Sequence, residues 1–98
     1  MTTIGDRIRE LRKEKGVTMD ILVEDIKESF DVKKLDKSMI SRWERGENEP
    51  SLDNAKYLCM YFDVSLDYLI GLTDVRTPSR LLTKRLSAYN KGINGDKK

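Results

Sequence analysis

Residues 36–46 read Asp-Lys-Ser-Met-Ile-Ser-Arg-Trp-Glu-Arg-Gly, and their order specifies a short helix with two unlike faces. Asp36 suits an N-cap because its carboxylate can accept from the unpaired N–H groups of a first turn, and Gly46 suits a stop because glycine enters the left-handed region without steric cost. Over a helix spanning 37–45, Ile40 and Trp43 lie three apart on one side and point inward. They are core residues rather than stacking groups. Lys37, Ser38, Ser41, Arg42 and Arg45 face outward. Alone, such a row is an ordinary solvated basic face, and its meaning depends on the chain around it.

Upstream, Ile4, Ile8 and Leu11 share a face that ends at Gly16, which predicts a helix over 4–15. Thr18 caps a second over about 19–29, with Leu22, Ile26 and Phe30 as its stripe and Ile21 and Val23 beside it. Residues 30–35, Phe-Asp-Val-Lys-Lys-Leu, have no clear period and read as a long turn. Downstream, Glu47-Asn48-Glu49-Pro50 is a loop and Ser51 caps a fourth helix with Leu52, Ala55, Cys59 and Phe62 inward. A fifth follows Ser65, carries Leu66, Leu69 and Ile70, and stops at Gly71. The predicted fold class is all-α, five short helices around one core.

The composition narrows what such a domain can do. Ninety-eight residues make one domain, and 38% hydrophobic with 37% charged residues describes a globular chain with a heavily solvated surface. No apolar run approaches the ~20 residues of a membrane span, and the start lacks a signal-peptide stretch, so a cytoplasmic protein with no membrane partner is expected. There is no histidine, the commonest general base and metal ligand. Asp6, Glu10 and Glu14 interleave with Arg9, Lys13 and Lys15 as a solvated ion-paired face, and no glycine loop suits a phosphate. No metal, no cofactor and no enzymatic activity are expected. Cys59 lacks an internal partner and reads as a small buried hydrophobe.

Charge divides the chain. Residues 1–75 hold 12 Lys and Arg against 16 Asp and Glu, a balance of −4, whereas residues 76–98 hold 7 against 1, a balance of +6. The expected units are a domain over 1–75 and a basic segment over 76–98. Within the latter, Thr77-Pro78 starts a sixth helix over about 78–90 bearing Leu81, Leu82, Leu86 and Tyr89. Too short to be stable alone, it needs a partner surface. It is either a dimer helix, with Leu82, Leu86 and Tyr89 pairing, or a basic arm using Arg80, Lys84 and Arg85; its apolar stripe favours the first.

IGDRIRELRKEKGVT (4–18), SMISRWERGENEPSLDN (38–54) and YFDVSLDYLIGLTD (61–74) together resemble the Xre or Cro/repressor-like helix-turn-helix family of phage and bacterial regulators. The resemblance covers roughly residues 4–74 and is specific as a set: Ile-Ser-Arg-Trp-Glu-Arg-Gly, a proline four residues on, and Val-Ser-Leu-Asp-Tyr-Leu. It implies a lambda-repressor-like domain that binds a double-stranded DNA operator as a homodimer and regulates transcription, most simply as a repressor occupying a promoter. It also implies base reading by the first, second and sixth positions of the third helix, here Lys37, Ser38 and Arg42. The chemistry agrees, since Lys and Arg donate to guanine O6 and N7, a serine hydroxyl serves either way, and Met39 can meet a thymine methyl. Arg12 and Glu44 match positions that form an ion pair tying helix 1 to the reading helix, unless they are surface charges that never meet.

Phosphate contacts would supply register. Candidates are the backbone N–H groups at Thr18 and Met19, Ser41, Arg45 and Asn48 beside the reading helix, and Lys33 and Lys34 in the long turn. Three departures from the family pattern stand out. Met19 replaces a usual glutamine, Glu47 and Glu49 bring negative charge near a DNA backbone, and the turn before helix 3 is longer than usual and lacks its glycine. The rival reading is a protein-interaction module, an antirepressor or antitoxin-like adaptor gripping a protein partner through the long turn or tail. The −4 balance and the two loop glutamates favour it.

Overall fold

The computed structural model describes residues 2–77. They form five helices: α1 Ile4–Lys15, α2 Met19–Phe30, α3 Lys37–Glu44, α4 Leu52–Phe62 and α5 Leu66–Leu69. The expected sixth helix, with Leu82, Leu86 and Tyr89, lies outside the described residues. No helix among those described is long and apolar enough to cross a membrane.

Every helix begins on a side chain that accepts a hydrogen bond from its first turn. Thr18, Asp36, Ser51 and Ser65 do so at the expected positions, and Thr3 and Asp6 form a reciprocal capping box on α1. Gly16 closes α1 at φ 73°. Asp31 and Asp63 close α2 and α4 in the same left-handed region, at φ 54° and 58°. Aspartate tolerates that conformation better than most residues, so α2 closes on Asp31 and the turn after it starts without a glycine.

The core runs through all five helices, from Ile8 and Leu11 of α1 and Leu22 and Ile26 of α2 to Ile40 and Trp43 of α3. Ala55, Leu58, Val64, Tyr68 and Leu69 complete its far side. α1 packs on α3 and α5, α2 on α3 and α4, and α4 on α5. The segment 31–36 is non-helical but anchored: Leu35 is buried, Val32 is half-buried, and Phe30 stacks on Tyr57 of α4 with ring centroids 5.3 Å apart. Tyr61 of α4 also donates to Asp25 of α2 at 2.5 Å. The approach to α3 is thus fixed by apolar contacts although its sequence has no period.

The fourth and fifth helices are phased differently from the expectation. Leu52 is 75% exposed, and Leu58 is the fully buried residue of α4. In α5, Tyr68 and Leu69 are buried while Leu66 and Ile70 reach the surface. Helical side chains lean toward the N-terminus, so Leu52 and Leu66, each the first residue of its helix, lean past the edge of the core. Cys59 is half-buried, and desolvation pushes its thiol up to about 11, which removes thiolate chemistry at neutral pH.

Residues 73–77 fold back on α1. Arg76 makes two bonds of 2.8 Å to Glu14 and one of 3.1 Å to the Tyr68 hydroxyl, while Arg7 lies 3.9 Å from the Tyr68 ring centroid and bonds Asp74 at 2.7 Å. The composition break at 75/76 therefore falls inside a packed strap.

Candidate nucleic-acid interface

Helix α3 is held at both ends. At its start, one Asp36 carboxylate oxygen accepts from the Met39 N–H at 2.9 Å and the Ser38 hydroxyl at 3.1 Å. These bonds, the Met39 N–H foremost, hold the Asp36 carboxyl below its ordinary value. At its end, the Glu44 carboxylate, with its side chain only 2% exposed, accepts from Arg12 Nε at 2.7 Å and Nη2 at 3.0 Å. Arg9 adds a bond to the Glu44 carbonyl at 2.9 Å and lies 3.6 Å from its carboxylate. Gly5 of α1 sits so close beneath this end that a Cβ there would overlap the Trp43 carbonyl oxygen. With Ile40 and Trp43 buried below, α3 has little freedom to roll or slide.

That anchoring sets the outward row. Lys37, Ser38 and Arg42 are exposed. The Ser38 hydroxyl proton is directed at Asp36, so toward a ligand its oxygen offers lone pairs. Arg42 forms no side-chain hydrogen bond or ion pair among the described residues; it lies only within electrostatic reach of Asp36 and Glu47. Its five donors remain available. Met39 is half-buried against the core, so it borders the row rather than standing in it. Lys37 lies 3.8 Å from Asp20, in the first turn of α2.

The candidate phosphate-binding groups fare unevenly. The Thr18 hydroxyl accepts from the Ile21 N–H, and Met19 packs its side chain on the core, so that helix end offers main-chain donors only. Asp20 adds a negative charge in the same turn. Arg45 is bonded to Glu47 at 2.7 and 3.2 Å and to the Ser41 hydroxyl, so both Arg45 and Ser41 would have to be released to meet a phosphate. Lys33, Lys34 and Asn48 are exposed on the turn and loop flanking α3. Arg9, Gly5, Asp20 and the buried Arg7 were not singled out from sequence. Asp20 had a legible signal, an acidic residue in the turn where DNA-facing donors were expected. The others depend on contacts distant along the chain.

A rigidly held short helix with an outward polar row, preceded by a second helix across a turn, defines a helix-turn-helix DNA-binding domain. The chain belongs to the helix-turn-helix family, whose model matches residues 8–69. It is similar to the uncharacterized HTH-type transcriptional regulator YobD of Bacillus subtilis, 38% identical over 72 residues covering 74% of this chain and 58% of that protein. It is also similar to the HTH-type transcriptional activator BcrR of Enterococcus faecalis, 27% identical over 93 residues covering 91% of this chain and 42% of that protein. The chain thus spans about half the length of these relatives. No solved structure matches it.

Proposed function

We infer that this protein regulates transcription by binding an operator in double-stranded DNA, with α3 in the major groove and Lys37, Ser38 and Arg42 on base edges. The observation that carries this reading is the outward row itself, held by buried Ile40 and Trp43 and by the clamp from Arg12 and Arg9 onto Glu44. A helix of this size fits the groove, and rigid placement is what base readout requires. Lys33, Lys34, Asn48 and the first N–H groups of α2 supply phosphate contacts, Arg45 and Ser41 joining once Glu47 yields.

Binding as a homodimer on an inverted repeat is the second part of the proposal. Leu52, Leu66, Ile70 and Leu72 stand 75, 36, 42 and 73% exposed. Leu52, Leu66 and Ile70 line a groove of about 640 Å³ with Ile4 and Pro50. A second copy covering this groove is the proposed dimer contact, and dimers of helix-turn-helix domains bind half-sites about one helical turn, ~34 Å, apart. Phage-type repression by promoter occupancy is the simplest outcome; the Enterococcus relative is named an activator.

Selection of bound sequences from a random duplex pool, at stated salt, tests the reading. A two-fold symmetric enriched motif is expected. No enriched motif, together with tight capture of a protein partner, would instead support an interaction module, which the −4 balance of residues 1–75 and the Arg45–Glu47 pair favour. Sedimentation of Leu66→Asp checks the dimer surface, where a weakened dimer is expected and an unchanged one counts against it.

A further inference from the structure

The proposed reading helix does not stand alone over the groove. Lys37, its first residue, and Asp20, the second residue of α2, bring an ammonium and a carboxylate 3.8 Å apart, with side chains 62 and 72% exposed. In water such a pair holds little free energy, and what stability Asp20 adds comes from its place in the first turn of α2, where the helix dipole favours an anion. Its cost to DNA binding is the more telling quantity, because a carboxylate facing phosphates opposes the electrostatic term that dominates affinity.

We propose that Asp20 is a specificity-determining residue, which with Lys37 reads a single G·C pair as a donor–acceptor couple. This rests on α3 being the DNA reader. In the major groove, guanine presents O6 and N7 as acceptors and its cytosine presents the N4 amine as a donor. Guanine O6 and cytosine N4 are themselves hydrogen-bonded, so they lie about 3 Å apart. An ammonium and a carboxylate 3.8 Å apart match that edge in spacing and polarity. Lys37 donates to guanine while Asp20 accepts from cytosine N4. A pair offering a carbonyl where cytosine has its amine would face the carboxylate with an acceptor, so Asp20 rejects as well as selects. Met19 cannot take this part, since its thioether is a weak acceptor and its side chain is half-buried against the core.

Parallel selections with wild type, Asp20→Ala and Asp20→Asn test the inference. Asp20 is exposed and the Thr18 cap is independent of it, so both variants keep the fold. Asp20→Ala is expected to leave the rest of the motif intact, to lose about fivefold of cytosine preference at one position, and to bind unrelated DNA more tightly. Asp20→Asn, whose amide pairs with adenine N6 and N7, is expected to shift that position toward adenine. If wild type enriches a motif that Asp20→Ala reproduces at every position, the assignment to Asp20 is overturned while the DNA reading stands. Tighter binding to all sequences with no change of preference also overturns it, leaving Asp20 as a mask on Lys37. A wild-type pool with no motif overturns the DNA reading and this inference with it.

Discussion

Replacing Glu44 separates what holds α3 in place from what makes the domain stable. Its carboxylate is nearly sealed from solvent and takes two bonds from Arg12, whose side chain is 14% exposed and among the described residues otherwise bonds only the Val17 carbonyl, at 3.2 Å. Glu44→Met removes the charge but keeps the volume, stranding the Arg12 guanidinium. Breaking a buried pair from one side costs about 3–5 kcal/mol. The remaining Val17 bond and partial exposure of Arg12 bring the expected loss to about 2–4 kcal/mol, a fall in Tm of roughly 10–25 °C for a domain of this size. Arg12→Met strands Glu44, which keeps Arg9 at 3.6 Å, and is expected to lose somewhat less.

Both changes together remove two desolvated charges and leave apolar side chains facing each other, so the double variant should be more stable than either single one. Urea unfolding of the four proteins, with the slope checked for constancy, measures the coupling. Losses that simply add would refute the reasoning, because the pair would then have no mutual dependence. DNA binding by the double variant completes the test: a stable domain with weakened operator affinity is expected, since the pair's role is to orient α3.

Other consequences can be checked separately. Gly5→Ala drives a methyl into the Trp43 carbonyl and should cost about 1–3 kcal/mol in thermal unfolding, with operator affinity reduced beyond the loss of folded protein. Acid titration followed by circular dichroism has a defined sign. Asp6, Glu14, Asp36 and Glu47 are held below their ordinary values, chiefly by the Thr3 N–H, Arg76, the Met39 N–H and Arg45 respectively. Their contribution is full above the unfolded values of 3.8 for aspartate and 4.5 for glutamate, and is lost as pH falls through the lower folded values. With no histidine in the chain, stability should be level between about pH 5.5 and 7.5; a step there would contradict this assignment.

Where local chemistry decides structure, the sequence was readable. Thr18, Asp36, Ser51 and Ser65 cap the helices they were expected to cap because a cap is written within four residues, and Ile40 and Trp43 face inward because α3 carries few apolar residues. α4 was harder. Its apolar positions 52, 55, 58, 59 and 62 cover a wide arc, and only the placement of α2 and α5 against it decides that Leu58 is central and Leu52 exposed. Residues 30–35 lack a period because Leu35 and Val32 are buried by long-range contacts with no repeating backbone geometry behind them. In the candidate site, the outward row was legible, but its partners were not. Arg9 reaches the Glu44 carbonyl 35 residues away, and nothing in α1 distinguishes it from its solvated neighbours. Nor does spacing reveal that Arg45 is tied to Glu47 while Arg42 has no ion pair among the described residues.

That contrast between the two arginines is the most direct test of α3 as a base reader. Operator affinity should be measured at one stated salt concentration for Arg42→Ala and Lys34→Ala across single-base variants of the selected site. Arg42→Ala is expected to cost about 1–3 kcal/mol and to abolish discrimination at one base position, while Lys34→Ala weakens binding to every variant alike. Equal weakening across all variants by Arg42→Ala, or no weakening at all, would contradict the claim that this helix reads DNA sequence.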